Sequence, residues 1–144
     1  MKKIISLAFI SILIGFQSIA FAESSQEVGN YIVHYNAIST ESLPPAVATA
    51  YGITRSKNKG LLNISVLAKG AGFQGVEAEI DVSATNLTGQ LRAIELRKIE
   101  EQKAIYYISV FSVTNRETLD FSIKVKTADG QVGNIKLRQQ FFAN

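Results

Sequence analysis

The sequence predicts an all-β fold for residues 23–144, and three observations carry that prediction. Several stretches alternate apolar and polar residues with period two. Turn signals separate them, and only the segment 42–52 combines helix start and stop signals. The alternation is clearest over 76–85, where Val76, Ala78, Ile80, Val82 and Ala84 share one face and Glu77, Glu79, Asp81, Ser83 and Thr85 the other. A strand in a sheet buried on one side reads this way.

Residues 1–22 are set apart as a secretory signal. Lys2 and Lys3 supply the positive start, 4–16 is almost wholly apolar, and Ala20 and Ala22 form the small-x-small pattern that a signal peptidase cuts before Glu23. The apolar run is shorter than the roughly 20 residues a spanning helix needs, and no cysteine is present for a lipid anchor. The short Lys-Lys signal has a bacterial look. The expected destination is the periplasm, with no integral membrane span left in the mature chain.

The remaining elements follow in order. Residues 23–27 read as a short polar lead. Over 31–38, Tyr31, Val33, Tyr35 and Ala37 alternate with Ile32, His34, Asn36 and Ile38, a strand. The segment 42–52 offers Ser42 as a cap, Pro44 and Pro45 near a helix start and Gly52 as its end, which predicts a short helix in the first crossover. Strands are expected over 61–69 and 76–85. Residues 91–99 favour helix by composition, but their apolar positions spread around a helical wheel, so a strand with a bulge or a change of parity is expected. The stretch 104–113 is apolar on both faces, which predicts a central strand covered on each side. Leu119, Phe121, Ile123 and Val125 form another alternating strand; Asp129-Gly130 then fits a tight hairpin leading into 132–142. Seven strands and one short helix suggest a single domain, an immunoglobulin-like β-sandwich, although the cysteine pair and buried tryptophan of antibody domains are absent.

Removing the signal changes the charge argument. The full chain carries 15 basic and 12 acidic residues. Lys2 and Lys3 leave with the signal, so the mature chain has 13 against 12, a net +1. Nucleic acid is therefore not an expected partner. With no cysteine there is neither a disulfide nor a thiolate site, and stability must come from the apolar core.

The inventory of chemistry is short. His34 is the single histidine, so any Ser-His-Asp triad would have to use it and a multi-histidine zinc site is excluded. Gly70-Ala71-Gly72-Phe73-Gln74-Gly75 matches the spacing of a dinucleotide fingerprint but joins two strands instead of a strand and a helix. The row Glu77, Glu79 and Asp81 lies on one strand face and reads as cross-strand partners for Lys124 and Lys126. Arg55, Lys57 and Lys59 form a basic loop, in which Arg55 suits either bidentate recognition or a tie to loop carbonyls. No cofactor or metal is expected.

His34-Tyr35-Asn36-Ala37, Leu43-Pro44-Pro45, the distinctive Tyr51-Gly52-Ile53-Thr54-Arg55-Ser56, and Leu62-Asn63-Ile64-Ser65-Val66 together resemble a family of small exported gammaproteobacterial proteins. Tyr106-Tyr107-Ile108, Glu117-Thr118-Leu119-Asp120-Phe121 and Gln139-Gln140-Phe141 extend the resemblance over nearly the whole mature chain. The family is catalogued only as a domain of unknown function. The resemblance implies a periplasmic setting and a β-rich fold, and no activity or site. It also directs attention to the first crossover, the longest non-strand connection. Its Tyr51 and Arg55, with His34, Tyr35 and Asn36 of the preceding strand, are the expected binding residues. The expected function is a non-catalytic interaction or accessory module that holds a protein or envelope component through loops or a strand edge. The alternatives are a small envelope hydrolase using His34 or the carboxylates, and an outer-membrane barrel, which the Pro-Pro helix and the lack of aromatic girdles fit poorly.

Overall fold

Ten strands, one α-helix and two 3₁₀ turns are built from residues 24–144, the residues described by the computed structural model. The expected signal segment, residues 1–22, and its expected cleavage point lie outside them. The strands are β1 (Ser24–Val28), β2 (Tyr31–Ser39), β3 (Lys59–Ala68), β4 (Gln74–Gly75), β5 (Ala78–Asn86), β6 (Leu91–Arg92), β7 (Arg97–Glu101), β8 (Ala104–Ser112), β9 (Thr118–Thr127) and β10 (Val132–Gln140); the helix is α1 (Pro45–Ala50). They form two antiparallel sheets packed as a sandwich. The larger runs β1-β2-β3-β8-β7, with β4 added to β3, and the smaller runs β10-β9-β5-β6.

Alternation puts the core between the sheets. Val33, Leu62, Ile64 and Val66 of the larger sheet meet Leu119, Phe121, Ile123, Val125 and Ile135 of the smaller, all fully buried or nearly so. At one end, Phe111 stands edge-on to both Phe121 and Phe141, with ring centroids 5.6 and 5.7 Å away. That cluster closes over Gly60, where an added Cβ would come within 2.4 Å of the Phe111 ring.

Three expectations need correction. The polar lead is strand β1. It pairs with β2 in the register Ser24↔Tyr35 to Val28↔Tyr31, with only Val28 buried, so ladder hydrogen bonds hold what hydrophobicity does not mark. The stretch 91–99 is not one strand. Its first residues pair with β5 in the smaller sheet and its last with β8 in the larger. The change of parity marks a crossing between layers, along which Ile94 and Leu96 pack on the core. Finally, α1 starts at Pro45 without a side-chain cap, and Ser39 instead accepts from the Glu41 N–H to open the 3₁₀ turn Thr40–Ser42.

The hairpin at Asp129-Gly130 forms as expected, with Gly130 at φ 85°. Glu79 and Asp81 stand directly opposite Lys126 and Lys124. Arg138 grips Asp120 through two bonds of 2.6 and 2.8 Å, which hold the Asp120 carboxyl below its ordinary range. Lys98 bonds Glu77, and that bond lowers the Glu77 carboxyl. These pairs are exposed and contribute little to stability.

One ion pair is different. Glu117, its side chain 7% exposed, pairs with Arg92, and its Oε1 has no hydrogen-bond partner among the described residues. Removing the cation leaves a buried carboxylate uncompensated. Arg92→Ala is expected to cost about 3–5 kcal/mol, whereas Arg92→Met with Glu117→Leu recovers most of that loss; urea unfolding of the three proteins checks both.

Candidate binding site

The larger sheet is apolar on both faces, and its outer face is covered by the first crossover. Successive rows of that face can be read from the register. Asn36 lies opposite Asn63, Asn63 opposite Ile108, and Ile108 opposite Arg97. One step along, Ile38, Leu61 and Val110 form the next row. On the other side come His34 opposite Ser65, and Tyr106 opposite Ile99. The face therefore grades from amide and imidazole groups on β2 and β3 to branched aliphatics toward β8 and β7.

The crossover settles on the aliphatic part. Ala48 and Ile53 are buried against Leu61 and Ile108, with Leu43, Tyr51 and Tyr106 packed around them. The chain can close this way because Thr40 is fully buried and acts as its rivet. Its hydroxyl lies 3.1 Å from the carbonyls of both Thr54 and Ser56, and accepts from the Ser56 N–H at 2.9 Å. Gly52, at φ 64°, turns the chain out of α1. Arg97 donates to the Tyr51 carbonyl at 2.5 Å. The Tyr51 hydroxyl bonds to Glu101, and burial together with that carboxylate raises its pKa above the usual phenol value, so it is neutral.

Between this cover and the sheet lies a cleft of about 270 Å³. Its floor is Asn36, Asn63, Leu61 and Tyr106, its roof Leu43 and Tyr51, and Val47, 37% exposed, stands at its rim. The Asn63 Oδ1 is buried without a hydrogen-bond partner among the described residues. An open seam of about 590 Å³ also separates the free end of β2 from β10.

The five sequence-selected residues are distributed unevenly. Asn36 and Tyr51 line the cleft. His34 shares the outer face one step away, beside Ser65. Tyr35 points to the opposite face and packs on the core. Arg55 is exposed and donates to the Glu41 carbonyl at 2.9 Å, the loop tie that was one of its two expected roles. Asn63 and Tyr106 were missed as site residues. Asn63 had one signal, a polar residue set between Leu62 and Ile64. Among the described residues, no three His, Cys, Asp or Glu gather to hold a metal, and no helix is long and apolar enough to cross a membrane.

Fold and site define a two-layer β-sandwich whose larger sheet carries a helical cover and a small cleft on its outer side. The chain belongs to the family described as Domain of unknown function (DUF4426), whose model matches residues 25–144. Its fold is that of a DUF4426 family protein from Pseudomonas aeruginosa PAO1, at 36% identity, a TM-score of 0.71, and coverage of 85% of this chain and 96% of that one. It is also similar to a copper-bound variant of FetP from uropathogenic Escherichia coli, with a TM-score of 0.55, 11% identity, and 85% and 97% of the two chains covered. FetP as isolated after recombinant expression in the E. coli periplasm matches with a TM-score of 0.50, 11% identity, and 83% and 91% covered. At 11% identity the likeness is one of fold alone. No curated protein matches the chain.

Thr40→Val keeps the volume of the rivet and removes its bonds, leaving the Ser56 N–H without its partner. A loss of about 1–3 kcal/mol is expected. Amide exchange over 45–56 is expected to accelerate while the sandwich interior keeps its protection, and exchange mass spectrometry measures this.

Proposed function

We propose that the protein is a non-catalytic accessory module of the bacterial envelope, exported to the periplasm by its first 22 residues, that holds a protein or envelope component on the covered outer face of its larger sheet. The single observation that carries this reading is the cleft under the crossover. It is an apolar recess with a buried amide oxygen that no group among the described residues satisfies, set on rigid strands as binding sites commonly are. The reading treats the sandwich as an immunoglobulin-like scaffold that makes contacts through its crossover and free strand edges.

The placement of the titratable groups favours binding over hydrolysis. His34 lies on the larger sheet beside Ser65, while Glu79 and Asp81 stand on the smaller sheet opposite lysines. A hydrolase needs an acid and a base converging on one reacting atom. Copper belongs to the description of FetP and is not part of the proposal for this chain.

Photo-crosslinking in cells tests the reading. A photoreactive amino acid placed at Val47, on the rim of the cleft, is expected to give discrete adducts in the exported protein. The same group at Lys124, on the smaller sheet, is expected to give none. Adding Tyr51→Ala should reduce the Val47 adducts severalfold, since it removes part of the roof. Equal adducts at both positions would contradict the proposed face.

A further inference from the structure

We infer that the cleft beneath α1 takes a small neutral molecule with an apolar body and one N–H or O–H donor, which Asn63 accepts. The inference rests on the outer face being the binding face, and it adds the chemistry of the occupant. Three observations carry it.

The first is size. A space of about 270 Å³ corresponds to about nine water-sized volumes at ~30 Å³ each, which suits a molecule of about that many non-hydrogen atoms seated within the recess. The second is charge. The walls are aliphatic side chains, two amides and two phenols, and the Tyr51 phenol is held neutral by burial and by Glu101. An ion entering the cleft would lose its hydration and find no counter-charge on the walls.

The third is the unpaired oxygen. Buried acceptors are almost always satisfied, and each exception calls for a physical reason. Asn63 sits mid-sheet between Asn36 and Ile108 and lines the cleft, yet its Oδ1 has no partner among the described residues. The terminal torsion of an asparagine is soft, so a modest turn of the amide presents that oxygen to an occupant. A donor then recovers the missing hydrogen bond, while the body of the molecule packs against Leu61 and Tyr106. An acceptor-only molecule of the same shape has nothing to offer the oxygen.

The test uses 4-methylphenol and 4-methylanisole, which differ by methylation of the donor, titrated into the isotopically labelled exported protein. With 4-methylphenol, saturable shifts are expected at the amides of Val47, Asn63 and Ile108. With 4-methylanisole, binding at the same amides is expected to be about tenfold weaker or more. Asn63→Leu removes the acceptor at similar volume, and is expected to bring the ratio of the two affinities to about one while the melting temperature holds or rises. Equal affinities in the unmodified protein, a preference that survives in Asn63→Leu, or shifts confined to the smaller sheet would each overturn the inference. Failure of 4-methylphenol to bind, with Val47 crosslinks intact in cells, would discard the ligand chemistry and leave the binding face. Binding of the phenol as described, with crosslinks no different from those at Lys124, would support the small-molecule site and remove the macromolecular partner.

Discussion

The larger sheet has apolar side chains on both faces, and that constraint shapes the rest of the molecule. A sheet of this kind must be covered twice. The smaller sheet covers the inner face, where Leu62, Ile64 and Val66 are wholly buried. The outer face carries Leu61, Ile108, Ile38 and Ile99, and the first crossover folds back over them. Without it, an aliphatic patch would be open to water. The crossover is thus part of the packing, and the cleft is the part of the outer face that it leaves incompletely filled.

Energetics separate these two covers. The inner layer buries many large side chains, each contributing ~1.5–3 kcal/mol. The crossover commits only Ile53 and Ala48 fully, with help from Thr40. The cluster that the crossover closes, Ala48, Ile53, Leu61 and Ile108, is smaller than the inner core, so opening it costs less than unfolding the whole domain, whose net stability is ~5–15 kcal/mol. The crossover can therefore lift while the sandwich stays intact, as segments with few buried contacts generally do. Segments of this kind commonly form binding sites, because access to the recess does not require unfolding.

Much of the fold was legible in the alternation of side chains. Long strands with one buried face, such as β5 and β9, announce themselves, and the two-faced apolar run of β8 signalled a strand that is buried on its inner face and covered at Ile108 on its outer face, with Val110 left exposed. The failures have physical reasons. β1 is an edge strand held by its ladder to β2, and its Ser-Ser-Gln-Glu composition carries almost no hydrophobic signal. The 91–99 stretch passes from one sheet to the other, so neither a strand period nor a helix period fits it. The site was legible only in part. Tyr51 and Asn36 were selected for their place near a long crossover, and they do meet at the cleft. Tyr35 was selected with them, but strand parity turns it to the core. Asn63 stands out locally as a polar residue between Leu62 and Ile64, but its place beside Asn36 follows from the pairing of β2 with β3, a non-local fact that no single stretch of sequence reveals.

The most direct measure of this account is native-state hydrogen exchange resolved by residue. The amides of Ala48, Tyr51 and Ile53 are bonded within the crossover, to the carbonyls of Pro44, Val47 and Ala48. They are expected to exchange through a local opening a few kcal/mol cheaper than global unfolding, whereas Ile64 and Val66 exchange only when the whole sandwich unfolds. If all five amides instead reported one common free energy, the crossover would be an inseparable part of the core, and the idea of a cover that opens onto a binding face would be wrong.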